Sequence, residues 1–290
     1  MTTPGGGPTQ LVCPGREFSL KRPLVMGILN VTPDSFSDGG ALFSSSGLNV
    51  DALCGAAESM VVAGASFLDI GGESTRPGAF AVSEQEEMDR VLGAIACIQG
   101  RFDVEISLDT STPKVMLAGA AAGVGLINDV RALSREGAME AAAETGLPIC
   151  LMHMQGDPLT MQAGPQYLNV LAEVTQFLEQ RASACSEAGI SRDRLIFDPG
   201  FGFGKTPQHN FALLKHLPEV VGLGQPVLVG LSRKSMIASV LDRSTSQRLP
   251  ASLALAVLAM VGGAHILRVH DVVETMDAVA MMTAYAEASP

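Results

Sequence analysis

The sequence predicts an α/β protein, a (β/α)8 TIM barrel, on three observations. Eight short apolar runs recur along the chain, Ala-rich helical segments separate them, and each run leads into polar or charged residues. Strand then helix, eight times over, is the pattern of such a barrel, and 290 residues leave a modest tail beyond the roughly 250 it takes. A doubly wound sheet is the alternative that the same alternation allows.

Taken in order, residues 1–15 are rich in Gly, Pro and Thr and read as a disordered tail, leaving 16–290 as one domain. The apolar runs are Leu24–Val31, Ser66–Ile70, Glu105–Leu108, Leu126–Ile127, Pro148–Met152, Leu195–Phe197, Pro226–Leu231 and His265–Val269. Most are near-continuous rather than alternating, as expected for parallel strands buried on both faces. Helix signals lie between them: Gly64 closes Val50–Ala63, Ser83–Ile98 opens with a Ser-x-x-Glu capping box, and Thr112 caps a helix with Pro113 at its first position.

Composition narrows the function. A formal net charge of −11 is opposite to the basic face that collects nucleic-acid phosphates, and no membrane-surface role is indicated. Leu253–Val261, the most apolar stretch, falls short of the roughly 20 residues that span a bilayer. The first ten residues lack the basic start and apolar run of a signal peptide, so a cytoplasmic protein is expected. The cysteines at 13, 54, 97, 150 and 185 are odd in number, never spaced C-x-x-C and mostly in apolar surroundings, which predicts buried free thiols. No H-E-x-x-H pair suggests catalytic zinc, and no G-x-S-x-G suggests acyl transfer. The segment DPGFGFGKT at Asp198–Thr206 fails as a phosphate-binding P-loop because Pro199 stands where its first glycine should be. Its glycines are expected to let Phe203 and Lys205 approach a ligand closely.

In a barrel of this kind the site lies where the carboxyl ends of the strands meet the following loops. The first run reaches Asn30, the second passes Asp69 into GGESTRPG, the third ends at Asp109, and the fourth at Asn128 and Asp129. The fifth ends at His153, the sixth at Asp198, the seventh at Ser232, Arg233 and Lys234, and the eighth at Arg268 and His270. One such residue is an ordinary loop cap; eight sets converge on one mouth. Asp109, Asn128 and Asp198 suit the N–H edge of a polar heterocycle, whereas Arg76, Lys234, Arg268 and His270 suit anionic oxygens. The residues alone therefore point to an enzyme acting on a phosphorylated or carboxylated ring compound.

The motifs MGILNVTPDSFSDGG (Met26–Gly40), GGESTRPG (Gly71–Gly78), LMHMQG (Leu151–Gly156), DPGFGFGK (Asp198–Lys205), LSRKS (Leu231–Ser235) and RVHD (Arg268–Asp271) together resemble the motif set of the dihydropteroate synthases. The resemblance runs in order from about Gly15 to the C-terminus, with departures in a longer N-terminal tail and an enlarged segment around Ala41–Asn49. It implies condensation of 6-hydroxymethyl-7,8-dihydropterin pyrophosphate with p-aminobenzoate, with Mg2+, in folate biosynthesis, by an enzyme that sulfonamides target. Asp109, Asn128, Asp198 and Lys234 would then hold the pterin. Asn30, Arg268 and His270 would hold the pyrophosphate, with Asn30 beside the Mg2+. Phe36, Thr75, Arg76, Pro77, Phe203 and Ser235 would line the p-aminobenzoate site. Asn30, Asp109, Lys234, Arg268 and His270 would carry the chemistry, with dissociative loss of pyrophosphate before the amine attacks, and Asp38 is a further candidate in the first loop. A homodimer is implied, with Leu253–Val261 and Ala278–Met282 as candidate interface helices. The competing readings are a non-catalytic pterin binder and a pterin-binding methyltransferase domain.

Overall fold

The computed structural model describes residues 7–32, 42–44, 47–74, 82–157, 161 and 164–289. The strands are β1 (Leu24–Asn30), β2 (Phe67–Gly71), β3 (Glu105–Asp109), β4 (Leu126–Asp129), β5 (Ile149–Met152), β6 (Leu195–Asp198), β7 (Leu228–Val229) and β8 (Ile266–Val269). All eight pair in parallel, in the order β6-β5-β4-β3-β2-β1-β8-β7, and the two ends of that order meet at one further parallel bridge, Phe197 to Val227. The expected (β/α)8 barrel is thus the fold observed. Its main helices are α1 (Val50–Val62), α2 (Glu84–Gln99), α3 (Pro113–Ala121), α4 (Ala138–Thr145), α5 (Val170–Glu187), α6 (Pro207–Lys215), α7 (Leu249–Val261) and α8 (Val272–Glu287).

Successive side chains on a strand point to opposite faces, so each barrel strand divides its residues between the lumen and the helices. Val25, Leu29, Leu68, Ile70, Ile106, Leu108, Ile127 and Leu267 join the helices in one large apolar cluster. The alternate residues Met26, Phe67, Leu126, Cys150, Ile196, Leu228 and Ile266 form a second cluster inside the barrel, at its N-terminal end. Two residues further along, the lumen becomes polar: Asp69, Ser107, Asn128, Asp198 and Arg268 follow in the same phase. The lower lumen is a packed apolar plug and the upper lumen is available for chemistry.

Part of the expected tail is ordered. Gln10–Cys13 and Arg16–Ser19 form an antiparallel hairpin, with Gly15 at the turn in the left-handed region at φ 74°. Leu11 and Cys13 face inward and join the lower lumen cluster, while Gln10 and Val12 face outward. The hairpin closes the N-terminal mouth of the barrel. Its signal, one buried residue in two over QLVC, was too short to stand out from the Gly- and Pro-rich residues before it.

Caps form largely where the sequence signals them. Asn49 accepts from Ala52 N at 3.1 Å to open α1, and Ser83 accepts from Glu86 N at 3.2 Å to open α2. Thr112 occupies the cap position of α3, but its hydroxyl donates to Glu87 at 2.6 Å instead of capping the helix. Glu87 is buried and needs donors more than the helix end does. The expectation of free thiols holds for Cys13, Cys150 and Cys185, which are buried. Cys54 and Cys97 are instead paired, Cα to Cα 7.2 Å, because α1 and α2 pack side by side and bring together residues far apart in sequence.

Truncating Leu11 removes an anchor of the hairpin from a fully packed floor. Leu11→Ala is expected to lower stability by roughly 2–4 kcal/mol in urea unfolding; an unchanged midpoint would show that the hairpin is not part of the cooperative core.

Candidate active site

The barrel register places the upper polar residues at one level. Asn30 lies opposite Gly71, Gly71 opposite Asp109, and Asp109 opposite Asn128, across four neighbouring strands. Gly71 leaves an opening in that row: a Cβ built there would stand 3.5 Å from Asn30 Oδ1 and 3.6 Å from Asp109 Oδ2. Above this row lies a cavity of about 560 Å³, lined by Asn30, Asp109, Asn128, Asp198, Phe203, Lys234, Ser235, Arg268 and His270 among others. Within the described residues, all the substrate-binding and catalytic residues that the resemblance implies line this one cavity, whereas Lys205, expected to approach the ligand, does not. Phe36, Thr75, Arg76, Pro77 and Asp38 lie outside the described residues.

The centre of the site is a buried charge group. Arg268 Nε donates to Asp69 Oδ2 at 2.6 Å and its Nη2 to Asp109 Oδ2 at 2.8 Å. Burial works against the Arg268 charge, yet Asp69 and Asp109 hold it protonated more firmly than a free arginine. Asp109 goes the other way: burial pushes its carboxyl up to about 7, against the pull of Arg268 and with repulsion from Asp69 adding to the rise. Asp198 is raised as well, chiefly by burial, although the Gly200 N–H donates to it at 2.7 Å.

The loop after β7 presents Lys234. Arg233 adopts φ 57°, in the left-handed region a side chain rarely enters, and pairs with Asp271 through Nε at 3.0 Å and through Nη2. Its N–H also donates to Ser252 Oγ at 2.9 Å. Pinned from these sides, the backbone turns Lys234 into the lumen, where its Nζ lies 4.3 Å from the Phe203 ring centre. Burial, and then the Arg268 charge, lower the lysine to about 8. Beside it, Ser232 Oγ and His270 Nδ1 are 3.0 Å apart. Sequence reasoning saw Arg233 and Asp271 in their motifs but gave neither a role; the signal would have been an arginine and an acid bracketing Lys234 and His270.

Lys205 departs from expectation. It lies behind the loop rather than in the cavity, donating from Nζ to Gly200 O at 2.9 Å, Phe203 O at 3.1 Å and His153 O at 3.3 Å, with His153 Nδ1 at 2.9 Å. A ring nitrogen facing an ammonium must accept, which fixes the proton of neutral His153 on Nε2. Burial and Lys205 together lower His153 to about 3, and burial lowers Lys205 to about 7. Gly200 permits the packing: at φ 70°, a Cβ there would sit 1.8 Å from His153 O. Lys205 thus clamps the loop that carries Phe203. On the opposite wall, Glu73 and Arg131 form a two-pronged pair at 2.9 and 3.0 Å, another contact that the sequence did not single out.

A barrel whose mouth combines the acceptors Asp109, Asn128 and Asp198, a half-buried lysine and a guanidinium shared between two carboxylates is that of an enzyme for a polar heterocycle with an anionic arm. Comparison with known proteins agrees. Residues 26–270 match the pterin binding enzyme family. The chain is 52% identical to the dihydropteroate synthase of Escherichia coli K12 over 95% of this chain and 96% of that one. It is 48% identical to that of Neisseria meningitidis serogroup C over 90% and 92% of the two. A Yersinia pestis dihydropteroate synthase solved as a sulfonamide drug complex superposes with TM-score 0.93, at 50% identity, over 96% of this chain and all of that one. The Xanthomonas albilineans enzyme solved with 4-aminobenzoic acid gives TM-score 0.88 at 46% identity, over 97% of this chain and 99% of that one. The chain belongs to the dihydropteroate synthase family.

Lys205→Met is expected to lower stability by roughly 1–3 kcal/mol, the cost of orphaned buried carbonyls less the relief of removing a buried charge. Unfolding in denaturant checks this, and parent-like stability would show that those carbonyls find other donors. His153 adds a pH dependence. An unfolded histidine takes up a proton below about pH 6.5, whereas native His153 stays neutral down to about 3. Its contribution is therefore full above pH 6.5 and lost as the pH falls from there toward 3, at up to about 1.4 kcal/mol per unit. Asp109, with its pKa raised to about 7, acts in the opposite sense. The comparison is thus of melting temperatures at pH 7.5 and 5 between the parent and His153→Gln, in which the acid-side decline should be shallower.

Proposed function

We propose that this chain condenses 6-hydroxymethyl-7,8-dihydropterin pyrophosphate with p-aminobenzoate to give 7,8-dihydropteroate and pyrophosphate, as a transferase of folate biosynthesis. The observation that carries the proposal is the convergence of Asp109, Asn128, Asp198 and Lys234 on one cavity, in a chain of this family. Buried carboxylates accept from the amino and N–H groups of a pterin, and the lysine donates to its ring acceptors. Phe203 and Ser235 border the same cavity, where an aromatic amine would lie against the ring, and the loop residues Thr75, Arg76, Pro77 and Phe36 would complete that subsite. The X. albilineans relative was solved with 4-aminobenzoic acid and the Y. pestis relative with a sulfonamide, which supports one shared subsite and sulfonamide inhibition here.

Asn30 fits a Mg2+ role. That ion takes one or two protein oxygens and completes its shell with water and substrate phosphates, and Asn30 Oδ1 points to the same opening as Asp109 Oδ2. Among the described residues no cluster of three or more His, Cys, Asp or Glu could hold a metal unaided. Bound at Asn30, the ion would offset the charge of the pyrophosphate. Arg268 and His270 would share that task, Arg268 from its Nη1, since Nε and Nη2 are already engaged. As the pyrophosphate departs, a cation spreads into the pterin from the methylene, and the buried carboxylates Asp109 and Asp198 favour it. The neutral arylamine then attacks the methylene carbon and sheds a proton. No strong base is required.

The exposed apolar residues Leu258 and Val261 on α7, with Met281 and Tyr285 on α8, support the homodimer reading. Among the described residues no helix is long and apolar enough to cross a membrane, which is compatible with a cytoplasmic enzyme.

Pyrophosphate release and dihydropteroate formation, measured with both substrates and Mg2+, test the function. Product dependent on both supports it; release without coupling would point to a failed amine subsite, and folded protein without release to a pterin binder. Lys234→Ala is expected to weaken pterin binding by roughly tenfold to a hundredfold with the fold intact, and an unchanged affinity would overturn that role. Arg268→Ala is expected to slow pyrophosphate departure, seen as a fall in single-turnover rate, and also to weaken pterin binding and lower stability, since it leaves Asp69 and Asp109 without their shared partner.

A further inference from the structure

We propose that Asp69 is a positioning residue that sets how the pocket reads its heterocycle, an inference that rests on the pterin reading of the site. Asp69 sits in the middle of β2, is fully buried and does not line the cavity. Three side chains donate to it: Ser107 through its hydroxyl, Asn128 from Nδ2 at 3.2 Å and Arg268 from Nε at 2.6 Å.

Two consequences follow for the groups that do face the substrate. A carboxylate can only accept, so it draws the nitrogen of the Asn128 amide toward itself and leaves Oδ1 for the cavity. Without Asp69 the amide is free to turn over and offer a donor where the ring also offers one. The second consequence concerns Asp109. Arg268 divides its donors between the two acids, Nε to Asp69 and Nη2 to Asp109 Oδ2. With Asp69 holding one edge of the guanidinium, Asp109 Oδ1 is left for the ligand. A single residue out of the substrate's reach thus fixes two neighbouring acceptors that read its N–H edge.

The test compares the parent with Asp69→Ala and Asp69→Asn as full-length chains, with thermal melts to establish folding. Calorimetry measures the Kd for the free pterin, 6-hydroxymethyl-7,8-dihydropterin, and steady-state kinetics give KM for each substrate. Asp69→Ala is expected to raise the pterin Kd, and KM for the pterin pyrophosphate, roughly tenfold or more, since hydrogen bonds to charged groups are of that size. KM for p-aminobenzoate should stay within about twofold, because the groups disturbed belong to the pterin side. Asp69→Asn keeps an oxygen for Asn128 and Arg268 and turns its amino group to the Ser107 hydroxyl, so it should recover pterin affinity to within about threefold. A folded Asp69→Ala with parent affinity, or one in which both KM values rise together, overturns the proposal in favour of a purely structural role. Should Asp69→Ala fail to fold, Asp69→Asn decides alone: a loss of about tenfold or more overturns positioning by hydrogen bonding. A folded parent that binds no free pterin would instead overturn the pterin reading of the site, and the proposal with it.

Discussion

The upper half of this barrel is organised around one guanidinium inside a closed sheet. Arg268 comes from the last strand and binds acids from the second and third, so its two hydrogen bonds cross the lumen. Ions buried in this way hold together only when each has its partners, because removing one leaves an uncompensated charge in a medium that solvates it poorly. The rest of the architecture meets that condition. The lower lumen is filled by apolar side chains and closed beneath by the hairpin, which keeps water from entering from that end. Ser107 and Asn128 supply Asp69 with neutral donors. The acids are then free to differ, one satisfied on every side and the other left with an oxygen for a ligand.

Two lysines, one buried and one half-buried, show the same logic from the cationic side. Lys205 reaches three carbonyls and a histidine nitrogen. It is a satisfied ion with a mechanical task. Lys234 instead lies over the face of Phe203 and against Gly202. Burial lowers both, Lys205 to about 7 and Lys234 to about 8. The donor capacity of Lys234 is little used within the described residues, which is consistent with the pterin-binding role proposed for it. The two differ both in partners and in depth, Lys205 being buried and Lys234 half-buried.

Much of this was legible in the sequence. Eight apolar runs gave the strands to within a few residues, because parallel strands buried on both faces carry a signal that no surface patterning dilutes. The residues at the strand ends gave the mouth of the site, because barrel topology brings strand ends together whatever the intervening helices do. What escaped notice was of another kind. Asp69 was visible as a charge inside an apolar strand, yet its partners lie 38, 59 and 199 positions away and only the closed sheet brings them to it. Lys205 was expected at the ligand because its glycine-rich motif suggests close approach; the glycines do permit close approach, but of backbone to the lysine-bearing loop. The pairing of Cys54 with Cys97 and the ordering of the hairpin were missed for a common reason, since each depends on contacts across the fold and not on any local pattern.

The charge balance bears on why an enzyme with this floor would favour loss of pyrophosphate over direct displacement. Asp69, Asp109 and Arg268 together carry one net negative charge when both acids are ionised, and Asp198 adds a second that Lys234 opposes. An anionic leaving group gains nothing from resting on such a floor. On the reading proposed above it would be better held at the rim, by Asn30 and an ion bound there, by His270 and by the edge of Arg268 that the acids leave open. With the pterin held as proposed, the carbon it leaves behind would develop positive charge near the acids. In that arrangement the site would oppose the ground-state arm and favour the cation formed on its departure, and charges fixed before the substrate arrives cost no reorganisation at the moment of reaction. Burial pushes the Asp109 carboxyl up to about 7, and a cation forming beside it would favour its ionised form. The burial that makes that acid reluctant to ionise in the resting protein would also make its charge effective beside such a cation.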